Sequence, residues 1–314
     1  MAPLGAGKVG LFGAAGSGAA AAGYFGGGYS SIYVELDTVD KFLFSDDSRT
    51  TLGTGLSINC RGTAGMANSG TAGYFACGYS GGYVDTVDKF AFSDDSRTTL
   101  GTGLSSARGW LGGMANSGTA GYFGGGNTGS VVATVDKFAF PADSRTTLGT
   151  GLSAATQYLT GMANSGTAGY FGGGSTGSVV DTVDKFLFSD DSRTTLGTGL
   201  SAARRMVGGM ANSGTAGYFG GGYTASVYVS TVDKFAFSDD SRTTLGTGLS
   251  SITGFLAGMA NSGTAGYFGG GHTGSIVSTV DKFAFSDDSR TTLGTGLSSA
   301  RYSLGAMANS ETLA

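Results

Sequence analysis

The chain has 314 residues, a formal net charge of −4, 61 glycines, two prolines and two cysteines. Acids and bases are interspersed along it, which leaves no basic footprint for nucleic acid, and no apolar run approaches the length of a membrane span. The glycine has no Gly-X-Y period and little proline beside it, which excludes collagen and Pro-rich disorder.

In chain order, the stretch from Met1 to about Gly18 is rich in small residues. It lacks a positive n-region followed by an apolar h-region, so no secretory signal is read. It is expected to be an arm (1–18) ahead of one folded unit covering 19–314, because tandem repeats override the usual length-based domain count. From there a single unit recurs. Gly-Tyr-Phe starts at Gly23, Gly73, Gly121, Gly169, Gly217 and Gly266, and Val-Asp-Lys-Phe at Val39, Val87, Val135, Val183, Val232 and Val280, 48 to 50 residues apart. A period of that size points to propellers or solenoids.

The third copy shows four segments. Gly109 to Ala115 runs into the tight-turn signal Asn116-Ser117-Gly118. Thr119 to Gly125 carries a Tyr-Phe pair into glycines. Thr134 to Phe140 is β-branched and aromatic, with Phe138 and Phe140 on one face and Val135 and Ala139 on the other. After Ala142-Asp143-Ser144, elsewhere Asp-Asp-Ser, the last segment is Arg145 to Leu152. Four short strands joined by hairpin-length turns predict an antiparallel meander, and apolar residues on both faces place each sheet between two others. Radial stacking of such sheets limits exposed edges. The predicted fold is all-β: a six-bladed β-propeller with four-stranded antiparallel blades.

The glycine runs that end the second strand, such as Tyr122-Phe123-Gly124-Gly125-Gly126, followed by a variable loop and an aromatic third strand, resemble the kelch family of propellers. The resemblance covers nearly the whole chain. It departs where Phe90 and Leu100 and their equivalents stand for the kelch Tyr and Trp anchors, and where Ala76-Cys77 breaks the glycine run.

The first-segment pattern occurs once more than the others if the worn stretch Val9 to Ser17 is counted. Arg301–Asn309 keeps Met-Ala-Asn intact and is expected to be the inner strand of the first blade, closing the ring. The displaced arm would then fray or dock on another subunit.

The units differ at the links from segment two to three and from segment four into the next segment one. Alternating strand direction puts both on the same rim, where loops on a rigid scaffold carry recognition. Two residues after each Leu-Ser come Cys60, Arg108, Thr156, Arg204, Thr253 and Arg301, so arginine alternates around the ring. If they face the channel mouth beside Trp110, Tyr158 and Phe255, these guanidinium forks suit a carboxylate, sulfate or phosphate, and the aromatic faces suit sugar rings. The other reading is that the arginines pair with nearby Asp side chains. Arg205, Tyr302, Tyr223 and His272 complete the candidate rim site.

His272 is the only histidine, so a His-centred triad is excluded. No cofactor and no metal site is expected: the acidic turn lacks a calcium ladder and the glycine runs lack a phosphate-loop lysine. Cys60 and Cys77, too few for a disulfide framework, read as two incidental buried thiols. Asp88, Lys89 and their equivalents are expected to pair between blades or with the turn arginines. Together these features predict a binding or structural module rather than an enzyme. The near-identical units and the arm are similar to kelch-like proteins of phage particles. That resemblance implies a virion fibre, spike or decoration subunit, made in the host cytoplasm, contacting other virion subunits through the arm and a host surface glycan, an anionic one included, or another host receptor through the rim, with homo-oligomers open to it. An intracellular protein-binding adaptor and a glycan-active enzyme are the alternatives.

Overall fold

The repeat unit folds as its turn chemistry requires. In a computed structural model describing residues 20–310, the third blade consists of Gly112–Asn116, Ala120–Gly124, Val135–Ala139 and Ser144–Thr147, hydrogen-bonded in that order as an antiparallel meander. Six such four-stranded sheets are present. The expected arm, 1–18, lies outside the described residues.

Blade one is built from both ends of the chain. Gly305–Asn309 is its inner strand, with Ala22 opposite Asn309 and Gly26 opposite Gly305, and Val39–Leu43 and Arg49–Thr51 follow outward. The C-terminal strand therefore closes the ring.

The core is divided into six wedges between adjacent blades. Strand alternation sends Phe138 and Phe140 against Met66 and Tyr74 of blade two, while Val135 packs with Phe171 and Phe186 of blade four. One side-chain staple repeats in every wedge. The hydroxyl of Tyr122 donates to Asp191 (2.8 Å) and Lys137 reaches the same carboxylate (2.7 Å), while Phe188 stacks on the Tyr122 ring at 5.4 Å. The corresponding tyrosines, Tyr24, Tyr74, Tyr170, Tyr218 and Tyr267, do the same to Asp95, Asp143, Asp240, Asp288 and Asp47. The lysines thus pair across blades, as expected of Lys89, whose partner is Asp143.

The aspartate of Val-Asp-Lys-Phe serves the other side of the wedge. Asp136 accepts from the backbone N–H and hydroxyl of Ser105 (2.8 and 2.9 Å) and from Thr147 (2.7 Å). Burial pushes its pKa up, but these hydrogen bonds and the Arg108 charge hold it below the usual carboxylate value.

Cys60 and Cys77 are not thiols; they form a disulfide. They are 17 residues apart in sequence, and the hairpin of blade two brings the link before its inner strand against the end of its second strand. Cys77 occupies the position of Gly125, since each donates its N–H to the threonine before the third strand, Thr86 or Thr134. Counting cysteines carries no trace of that proximity.

Candidate functional site

The two variable links meet on one rim, blade by blade. The first residue of each two-to-three link pairs with the link that enters the same blade: Arg61 with Tyr79, Gly109 with Asn127, Gln157 with Ser175, Arg205 with Tyr223, Gly254 with His272, and Tyr302 with Tyr29. The following residue of each entering link faces the mouth of the channel. These are Gly62, Trp110, Tyr158, Met206, Phe255 and Ser303, in ring order.

All six have left-handed backbone, with φ of 64°, 57°, 58°, 63°, 61° and 56°. They also form a closed circle of backbone hydrogen bonds. Trp110 N–H donates to the carbonyl of Gly62 (3.0 Å), Tyr158 to Trp110 (2.8 Å), Met206 to Tyr158 (2.8 Å), Phe255 to Met206 (2.9 Å), Ser303 to Phe255 (2.9 Å) and Gly62 to Ser303 (2.8 Å). Left-handed backbone costs a non-glycine residue about 1–3 kcal/mol, and bulky side chains rarely adopt it. The circle, whose aligned bonds polarise one another, holds it in place. Glycine suits the position, and Gly62 fills it in blade two. Trp110, Tyr158 and Phe255 are therefore kept at the mouth against local backbone preference.

Around them the aromatic residues form one connected surface. Trp110 touches Tyr79, Tyr83 and Tyr158 at centroid distances of 6.0, 5.9 and 5.4 Å. Phe255 links Tyr158 to Tyr302, which meets Tyr29 and His272; His272 leads through Tyr228 to Tyr223, and Tyr29 to Tyr33. Of the 14 tyrosines, six are wedge staples, and the other eight all belong to this surface, with the single Trp and the single His. The blade-one link projects furthest, with Ile32 and Tyr33 each 76% exposed. Burial raises the pKa of Tyr158, Tyr302, Tyr228 and Tyr83, and Arg205 and Arg61 partly offset this at Tyr158. Beneath the mouth lies a cavity of about 90 Å³, well short of the ~300 Å³ at which small-molecule pockets begin.

The alternating arginines lie elsewhere. Arg108, Arg204 and Arg301 do not face the mouth; they are fully buried in alternate wedges, each 2.9 Å from a carboxylate, Asp136, Asp233 and Asp40. Burial lowers each guanidinium's pKa and the paired carboxylate opposes that. The reason is register: their backbone N–H groups bond to Val84, Val180 and Val277, which turns the side chains into the wedge, and the mouth position comes two residues later. Where Thr156 and Thr253 replace arginine, the outer-strand Arg193 and Arg290 approach Asp184 and Asp281 instead, at 3.5 and 3.6 Å.

Trp110, Tyr158, Phe255, Tyr302, Tyr223, His272 and Arg205 are neighbours on this rim. Residues the sequence reading passed over are Arg61, Tyr29, Tyr79, Tyr83 and Tyr228. Their signal was available, because each is an aromatic or a cation inside a variable link. Among the described residues no group of three or more His, Cys, Asp or Glu is placed to hold a metal ion. Compared with known families and with curated proteins, the chain matches none.

Proposed function

We propose that this propeller is a binding module whose aromatic rim recognises a host-surface glycan, and that it serves as a fibre, spike or decoration subunit of a virion. The observation that carries the reading is the gathering of every tyrosine outside the wedge staples, with Trp110 and His272, onto one half-exposed surface. Tyrosine and tryptophan give large, rigid contact area at low entropic cost, and the intervening Ser, Gly, Thr and Asn supply adaptable hydrogen bonds. That is the composition of antibody paratopes. Aromatic faces over a shallow mouth suit the flat apolar face of a sugar ring. The role is recognition, with no catalytic step assigned.

The disulfide favours the particle over the intracellular adaptor, because such bonds persist on virion and cell surfaces and are rare in the cytosol. The near-identical units fit a repeated particle subunit. Glycan-array binding by the intact chain, repeated with Trp110→Gly, tests the rim: selective binding lost in the variant is expected, and an unchanged profile refutes it. Electron microscopy of the native assembly tests the particle, and a lone soluble ring there would count against it.

A further inference from the structure

The rim carries two arginines in the same structural position, and they differ in one respect. Arg61 and Arg205 each precede a mouth residue and each lies over two tyrosine rings. Arg61 sits 4.2 Å from the Tyr29 centroid and 5.0 Å from that of Tyr79; Arg205 sits 5.6 Å from both Tyr158 and Tyr223. Arg61 has a counter-charge, Glu35, at 3.5 Å. Arg205 has no carboxylate within ion-pair distance among the described residues, and the place that Glu35 takes in the preceding blade's link is held here by Val179. The guanidinium at blade two is thus neutralised by the blade-one link, and blade five presents an aromatic-framed guanidinium with its charge uncompensated.

A second polar group lies on the same mouth. Ser303 is 7% exposed, lines the cavity, and its hydroxyl has no partner among the described residues. A buried hydroxyl left unpaired is costly and is normally satisfied. Arg205 lies over Tyr158, the Tyr158 ring meets Phe255 at 6.0 Å across Met206, and Ser303 follows Phe255 in the circle. The two rings are nearly perpendicular, at 87°, so the arrangement offers an apolar corner of one ring face and one ring edge, with the Arg205 fork beside Tyr158 and the Ser303 hydroxyl after Phe255.

Resting on the glycan reading above, we propose that the mouth selects acidic saccharides: a carboxylated sugar ring packs into the corner formed by Tyr158 and Phe255 with its carboxylate on Arg205 and a ring hydroxyl toward Ser303. A guanidinium fork takes a carboxylate through two parallel N–H···O bonds. Stacking on tyrosine holds that fork in orientation, and the small cavity below confines the ligand to the rim.

The test is calorimetric binding of a uronic-acid oligosaccharide and of its carboxyl-reduced neutral counterpart to the intact chain, at fixed salt. The wild type should bind the acidic form at least ~10-fold more tightly, as expected for a charge-assisted fork. Arg205→Gln should erase that preference while leaving affinity for the neutral form, Arg205→Lys should restore it in part, and Arg61→Gln should keep it. Equal binding of both oligosaccharides, lost in Trp110→Gly, would overturn the acid selectivity while leaving the glycan rim standing. Loss of the preference in Arg61→Gln but not in Arg205→Gln would also overturn it. If neither oligosaccharide binds and an acidic peptide does, both the selectivity and the glycan reading fall.

Discussion

The two rims close the same ring by different means. On the Asn-Ser-Gly rim the blades are joined through side chains: Asn68, Asn116, Asn164 and Asn212 each accept from a glycine N–H of the next blade at 2.7 Å, and Ser69 N–H donates to Ser117, Ser117 to Ser165 and Ser165 to Ser213. On the aromatic rim the joining bonds run from backbone to backbone, from Gly62 round to Ser303. A contact made by a side chain constrains the residue that makes it; one made by the peptide group leaves the side chain free. This is why one rim is uniform and the other holds Gly, Trp, Tyr, Met, Phe and Ser at a single repeated position. Diversity has collected where the scaffold does not depend on it.

That difference can be broken hardest in the wedges, where side-chain coupling is most buried. Asp136→Asn strands the Arg108 guanidinium, and leaving one partner of a buried pair uncompensated costs about 3–5 kcal/mol. Asp88, in a wedge that has no arginine at this position, is held among the described residues by Ser57 and Thr99. Asp88→Asn should therefore cost nearer 1 kcal/mol, the difference between charged and neutral hydrogen bonds. Arg108→Thr should fall between them, because Arg145 can approach Asp136 as Arg193 approaches Asp184. Denaturant midpoints of the three variants order these effects, and equal costs would show that the buried pair is not special.

The disulfide is the next largest. A loop of about 15 residues predicts roughly 3 kcal/mol of stabilisation from its closure, so Cys60→Ala with Cys77→Ala should lower stability by about that amount. Hydrogen exchange should place the loss in blade two. Its wedge is the one whose arginine-column position holds Cys60, so the bond stands where other wedges hold an ion pair or a threonine.

The wedge tyrosines give a pH test. Burial and the bond to an aspartate raise the pKa of Tyr24, Tyr74, Tyr122, Tyr170, Tyr218 and Tyr267 above the ordinary tyrosine value. A raised folded-state pKa gives stability that is complete below the unfolded value, about 10, and is lost as pH rises beyond it. The ring should open cooperatively in alkali, with these six ionising only in that step. Tyrosinate absorbance followed with circular dichroism checks this. Tyr122→Phe should cost about 1.5–3 kcal/mol at neutral pH, the worth of a hydrogen bond to a charged group, and make the alkaline fall less steep.

How much was legible follows from the same distinction. Side-chain couplings repeat in the sequence, so the strands, the blade number, the closing strand and the cross-blade lysines could be read from Val-Asp-Lys-Phe and Asn-Ser-Gly. Backbone couplings leave no such mark. The circle at the mouth is invisible in a column reading Gly, Trp, Tyr, Met, Phe, Ser, and only Gly62 hints at left-handed geometry. The arginine column alternates visibly in the sequence but lies two residues before the mouth position, because pattern reports periodicity and the link's bonds to Val84, Val180 and Val277 decide direction. Cys60 and Cys77 break the repeat, and a residue that occurs once carries no positional information from its neighbours.

The smallest expected effect on stability separates the rims most sharply. Trp110→Gly removes ring contacts worth about 0.5–1.5 kcal/mol each at a half-exposed site and relieves left-handed strain of about 1–3 kcal/mol, while the N–H to Gly62 and the carbonyl to Tyr158 stay in place. The two changes nearly cancel, so the melting temperature should hardly move even as the rim loses its largest side chain. Asn116→Ala deletes far fewer atoms, yet it removes the acceptor for Gly166 N–H and should cost about 1 kcal/mol or more. If the tryptophan variant proves the less stable of the two, the aromatic rim is itself a structural brace, and its diversity would need an origin other than recognition.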